Sequence, residues 1–111
     1  MVKGYIYIMY GGTLKNKTIK IGKTLDKDGL YDKYKTYYGN DVKGYFCKSD
    51  NYDEHEIVVK NNLAEYNRFG ELFNCNSTHA KNVIKNATGK TRMHKITKPN
   101  MIDRVNYIIA I

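Results

Sequence analysis

A phenol, an ammonium and a carboxylate are the side chains of this sequence whose spacing could bring them into one place. Tyr5-Ile6-Tyr7-Ile8-Met9-Tyr10 and Thr18-Ile19-Lys20-Ile21-Gly22 both alternate, as half-buried strands do, and Gly11-Gly12 with Lys15-Asn16-Lys17 supply turn chemistry between them. A hairpin turning symmetrically about residues 13 and 14 sets Tyr7 opposite Lys20, with Ile6 and Ile8 opposite Ile21 and Ile19. Opposed side chains stand about 5 Å apart at Cβ. The isoleucines would then bury one face and leave a phenol beside an ammonium on the other. A phenol of ordinary pKa near 10 is a poor base at neutral pH, and a neighbouring cation favours its ionised form. The same pairing also suits an ordinary cross-strand Tyr–Lys contact at a sheet surface.

Glu56 is the most informative carboxylate. On a helix over residues 53–66 it falls within about 80° of Val59, Leu63 and Tyr66, whereas Glu54 lies roughly opposite. A carboxylate on an apolar stripe needs a partner. A divalent cation would serve, since Mg²⁺ is often held by one or two carboxylates with water and phosphate completing its shell. An i,i+4 pair with Lys60, or a salt bridge to Lys20 or Lys33, would also satisfy it.

The elements that must position these groups follow from periodicity. After the hairpin, Leu30, Tyr34, Tyr37 and Tyr38 mark a helix from Asp28 to Tyr38, with Asp26 or Asp28 to cap it and Gly39-Asn40 to end it. Val42–Cys47 reads as a third strand, residues 53–66 as a second helix stopped by Gly70, and 71–75 as a short extended piece. Ser77 or Thr78 can cap a helix running to Thr88 before Gly89. Residues 90–98 read as a basic, irregular connection, and Pro99 can begin a last segment carrying Ile102, Val105, Ile108 and Ile109, helix or strand. The expected fold is α+β: a small three-stranded antiparallel sheet, the N-terminal hairpin plus one strand, flanked by helices.

Composition narrows the function classes. With 111 residues there is room for one domain. Nineteen Lys plus Arg against eleven Asp plus Glu leave a formal charge of +8, which favours a polyanionic partner, although an Asn-, Lys-, Ile- and Tyr-rich composition also follows from AT-rich coding. Cys47 and Cys75 lack C-x-x-C spacing and read as buried or incidental thiols, while His55, His79 and His94 fit no zinc motif. The absence of a G-x-x-x-x-G-K-[ST] loop removes the P-loop NTPases. No apolar run reaches the ~18 residues of a membrane span, and Met1-Val2-Lys3-Gly4 does not open a signal peptide. The expectation is an intracellular protein, in the cytoplasm, or in the nucleus of a host cell for a viral one, with no membrane partner.

At this point the motifs carry a resemblance. Tyr5-Ile6-Tyr7 followed by Lys20-Ile21-Gly22, with Leu63-Ala64-Glu65-Tyr66 and Gly70-Glu71-Leu72-Phe73 downstream, resembles the GIY-YIG nuclease superfamily, in the branch with a Lys-Ile-Gly second motif found in phages and large DNA viruses. It covers about Gly4 to Asn76, so residues 1–76 would be the nuclease core and 77–111 a C-terminal helical extension of the same domain. The resemblance implies a metal-dependent endonuclease that hydrolyses DNA phosphodiester bonds with Mg²⁺ or Mn²⁺. Tyr7, ionised with help from Lys20, would deprotonate the attacking water. Glu56 would hold the metal, with Glu71 as second choice. Lys33 would neutralise the phosphate where the family has Arg, a substitution that loses bidentate geometry, and Tyr37 one turn later would position it. Lys23 and Lys35 would add phosphate contacts, and Asn74 would close the site. Read without the resemblance, Lys33 is a solvated helix residue, Tyr37 a core aromatic and Asn74 a turn former.

Two further readings stay open: a non-catalytic basic nucleic-acid-binding module on the same fold, and a small protein-interaction module. The last segment could be a DNA-contacting arm, a closing helix, or the face of a homodimer.

Overall fold

The computed structural model describes residues 1–98, without the side chains of Lys15 and Asn16. Its elements run β1 (Gly4–Gly11), β2 (Leu14–Thr24), α1 (Gly29–Tyr38), β3 (Val42–Ser49), α2 (Tyr52–Asn62), β4 (Asn67–Phe69), β5 (Leu72–Asn74), α3 (Ser77–Thr88) and β6 (His94–Lys95). The strands form a single sheet of six in the order β4-β5-β2-β1-β3-β6, every neighbouring pair antiparallel. This overturns the expected three-stranded sheet. The hairpin and β3 are its centre, and three strands of only two or three residues extend it on both sides. Strands so short hold less than two periods of alternation, and of the three only β5, inside the extended piece read over 71–75, shows in the sequence.

Alternation along β1 and β2 divides the core. Ile6, Ile8, Ile19 and Ile21 face Val59 and Leu63 of α2, Ala80 and Ile84 of α3, and Phe73 of β5. Tyr7 and Met9 face the opposite way, where Leu30 and Tyr34 of α1 meet Val42 and Ile96. The sheet is therefore sandwiched, with α1 on one face and α2 with α3 on the other. Complete burial of each isoleucine contributes roughly 1.5–3 kcal/mol, which makes the first face the principal core.

Local chemistry explains where the helices begin and end. The Asp26 carboxylate accepts from the backbone N–H groups of Asp28 and Gly29, each at 3.1 Å, and orders the entry to α1. Asn51 caps α2 by accepting from Glu54 N–H at 3.3 Å. Residue 63 leaves the helical region, so the expected helix over 53–66 divides into α2 and a separate 3-10 turn over Ala64–Tyr66. Asn76, rather than Ser77 or Thr78, caps α3, accepting from Thr78 N–H at 2.7 Å. Cys47 and Cys75 are both free and buried. The segment from Pro99, with the dimer face or DNA arm read on it, lies outside the described residues. Among the described residues no helix is long and apolar enough to cross a membrane.

Candidate active site

The β1–β2 register differs from the symmetric hairpin by two residues. Tyr7 pairs with Gly22, and Lys20 pairs with Met9. The turn closes at Gly11 and Leu14, but the register is broken between Tyr10 and Gly11, and Lys17 takes a positive φ of 64° within the extra β2 residues. A slip of two keeps every side chain on its expected face, so the isoleucines still bury together while the direct Tyr7–Lys20 opposition is lost.

Tyr7 lies over Gly22. A Cβ at Gly22 would come within 2.5 Å of Tyr7 Oη and 2.7 Å of Cζ, so only glycine leaves space for the phenol. Its hydroxyl shares a hydrogen bond with the Tyr34 hydroxyl from α1, and the two rings sit 5.5 Å apart. Burial pushes the Tyr7 pKa far above the ordinary phenol value, the bond to Tyr34 pushes the same way, and the charges of Glu71 and Glu56 add to it. The expectation that Lys20 ionises Tyr7 is thereby corrected: the phenol is protonated at neutral pH.

Lys20 has other partners. Its Nζ stands 4.9 Å from the centre of the Tyr34 ring and 3.6 Å from Glu71 Oε2. Partial burial acts to lower its pKa, but the Tyr34 hydroxyl, with Tyr38 and Glu71, outweighs that and the net shift is upward. Lys20 is a fixed cation.

From there a chain of charges passes around the edge of β2. Glu71 Oε1 lies 3.7 Å from Lys60 Nζ, Lys60 lies 3.4 Å from Glu56 Oε2, and Glu56 Oε1 lies 3.8 Å from Lys23, which also bonds Asp53. Glu56 shares the inward stripe of Val59 and Leu63, and its side chain is 13% exposed against 45% for Glu71. Both alternatives read for Glu56 without metal therefore find a counterpart, the Lys60 pair directly and the second salt bridge with Lys23 in place of Lys20 or Lys33.

The remaining predicted residues divide. Lys33 and Tyr37 lie on the exposed side of α1, Tyr37 being 68% exposed, and it is Tyr34, three residues earlier, that meets Tyr7. This also corrects the reading of Tyr37 as a core aromatic. Lys35 Nζ donates to the carbonyls of Asn40 at 2.5 Å and Val42 at 3.3 Å, which ties it to the loop after α1. Lys23 is held by Asp53, whose hydrogen bond raises its pKa against slight desolvation, with Glu56 adding to the rise. Asn74 accepts from the Thr18 hydroxyl at 3.0 Å and joins β5 to β2. Tyr34 is the residue of the candidate site that sequence reasoning passed over, and its i,i+4 spacing from Leu30 was the available signal.

Glu56 and Glu71 share Lys60 as a partner, and among the described residues no group of three or more His, Cys, Asp or Glu forms a metal cage. Two carboxylates fit Mg²⁺ or Mn²⁺, which draw the rest of their shell from water and phosphate. The lysines around Glu56 and Glu71 stand 3.4–3.8 Å from them, beyond the 2.7–2.9 Å of a direct charge-assisted bond, so lone pairs of these two carboxylates remain open to a cation. Lys20, Lys23 and Lys60 balance Glu56, Glu71 and Asp53, so the cluster by itself has little pull on a phosphate. A divalent ion would reverse that. Comparison with protein-family models, with curated proteins and with solved structures yields no significant match to this chain.

Proposed function

We propose that this protein is a metal-dependent endonuclease that hydrolyses DNA phosphodiester bonds. The observation that carries this reading is the chain of contacts that leads from the Tyr7–Tyr34 hydroxyl pair through Lys20, over the Tyr34 ring, to Glu71 of the β4–β5 turn, Lys60 and Glu56 of α2, beside a glycine that leaves the pair room. Glu56 and Glu71 would hold Mg²⁺ or Mn²⁺, which when bound polarises the phosphate and increases the acidity of water.

The chain's own groups do the rest. Tyr7 Oη, fixed by Tyr34, accepts a hydrogen bond from the attacking water and orients it. Glu56 and Glu71 raise the Tyr7 pKa through their negative charge, so neutralising them would let the phenol ionise, and the phenolate would take the proton of the attacking water. Lys20 supplies a permanent positive charge to the developing phosphorane oxygens. Lys33 stands one residue from Tyr34 on the exposed side, where it can meet the backbone of a bound strand but not the reacting phosphate.

A second reading has one observation in its favour: Tyr7 is buried, bonded to Tyr34 and protonated, as in a module that binds without turnover. A supercoiled plasmid incubated with Mg²⁺, with Mn²⁺ and with EDTA separates the two. Nicking that needs the metal, with binding retained in EDTA, is the expected result. Binding without nicking under any metal supports the second reading and overturns the first.

A further inference from the structure

We propose that Phe69 is a stacking platform for an unpaired DNA base, and that the substrate accordingly contains a single-stranded or gapped stretch beside the cleaved bond. The inference rests on the nuclease reading above and adds its substrate class. Phe69 is 77% exposed. It sits at the end of β4, one residue before Gly70, whose φ of +54° makes the tight return into β5.

Isolated exposed apolar residues are common and need no function. Three features set this one apart. First, α1 covers Tyr7, Met9, Val42 and Ile96 on its side of the sheet but not the β4–β5 end, where Asn74 and Phe69 are exposed. The register pairs Phe69 with Leu72 and Leu72 with Lys20, so the ring is two strand spacings from the candidate site. That is about 10 Å, or about three stacked base steps of roughly 3.4 Å.

Second, the tip is pinned. Asn67 Nδ2 donates to the carbonyls of Gly70 at 2.9 Å and Leu72 at 3.3 Å, so little order is lost when a base lands on the ring. Third, Arg68, the residue before Phe69, carries its guanidinium to within 3.5 Å of the Thr18 hydroxyl of β2, which sets a cation between the β4 tip and the candidate site. An aromatic face with a flanking cation is the arrangement that holds a base and its phosphate in single strands. An intact duplex offers no free π-face there, which is why the occupant is an unpaired base.

The sequence contains no Trp, so F69W introduces a single indole as a reporter. Titrated with a fluorescence-silent single-stranded oligonucleotide in EDTA, F69W emission should be quenched to saturation, and an equal-length intact duplex should leave it nearly unchanged. F69A and F69L should each lose about 5- to 150-fold in affinity for the single strand and for a gapped duplex, the range expected of one base–aromatic stack. F69L keeps the apolar bulk without the π-face.

Unchanged single-strand affinity in F69A, an equal loss for duplex, or no quenching in F69W overturns the proposal. So does concentration-dependent self-association that F69A removes while oligonucleotide affinity stays the same. If the wild type nicks plasmid with Mg²⁺ and F69A binds normally, only the stacking role falls. If the wild type neither binds nor nicks DNA, the nuclease reading falls with it.

Discussion

Replacing Gly22 by alanine tests whether the hydroxyl of Tyr7 is placed for chemistry. The new Cβ would sit 2.5 Å from Tyr7 Oη, whereas ordinary contact begins at 3.4 Å, so the phenol must retreat by about 1 Å. A displacement of that size at a reacting group can cost about 10²-fold in rate. The retreat pushes the ring towards Tyr34, and overpacking of this kind costs about 1–3 kcal/mol. At roughly 4–8 °C per kcal/mol for a domain near this size, the melting temperature should fall measurably. Plasmid nicking with Mg²⁺ and a thermal melt measure the two effects, and oligonucleotide binding in EDTA should be unaltered. In a Y7F background the closest clash is gone, so G22A should cost less stability than it does in the wild type, with a coupling of about 0.5–3 kcal/mol. Wild-type rate and melting temperature in G22A would refute the register. A lower melting temperature with the wild-type rate would remove Tyr7 from the chemistry.

The other predictions are smaller. E56Q should reduce nicking to background while DNA binding in EDTA is kept or strengthened, and wild-type nicking would pass the metal to Glu71 alone. Y34F strips the buried Tyr7 hydroxyl of its partner and should cost about 1–3 kcal/mol together with most of the turnover, whereas Y37F should stay within about 0.5 kcal/mol and cleave normally; equal effects in the two variants would show that α1 is rotated from the position described. Above about pH 10 the unfolded chain ionises Tyr7 and the folded chain does not, so the unfolded state binds fewer protons and stability falls as pH rises. Y7F should flatten that alkaline decline in a denaturant titration between about pH 9 and 11, and an identical decline in Y7F would show the phenol to be free of its buried environment. DNA affinity should drop steeply between about 50 and 200 mM salt, and a flat response would argue against any phosphate-borne interaction.

The sequence reading reached the level of faces but not of neighbours. Alternation in β1 and β2 is a period-two signal, and any slip by an even number of residues preserves it. The four isoleucines accordingly bury together, while the pairing that was to ionise Tyr7 moved by two residues to Gly22. The cause is the irregular step after Tyr10, with Lys17 in the left-handed region. Lysine carries no mark of that conformation in the way glycine or asparagine does. Strands β4, β5 and β6 take their place from pairing with β2, β3 and each other rather than from their own residues. Asn67–Phe69 and His94–Lys95 lie beside turn formers and cations and read as loop.

The choice between Tyr34 and Tyr37 shows what decided the site. Three residues on a helix differ by about 60° around the axis, so both tyrosines can be assigned to an inward face by periodicity alone. Leu30 resolves the ambiguity, because it packs with Tyr34 against Met9 and Val42 and turns Lys33 and Tyr37 outward. Matching a motif by order selected the Lys33–Tyr37 pair, whereas matching it by burial selects the Leu30–Tyr34 stripe. On that stripe the position one turn before the site tyrosine is an apolar leucine, so α1 brings no cation to Tyr7. Lys20 from β2 is the cation over the Tyr34 ring instead. The positive charge at the candidate site thus comes from the sheet, and any account of phosphate neutralisation has to begin with Lys20 rather than with a helix residue.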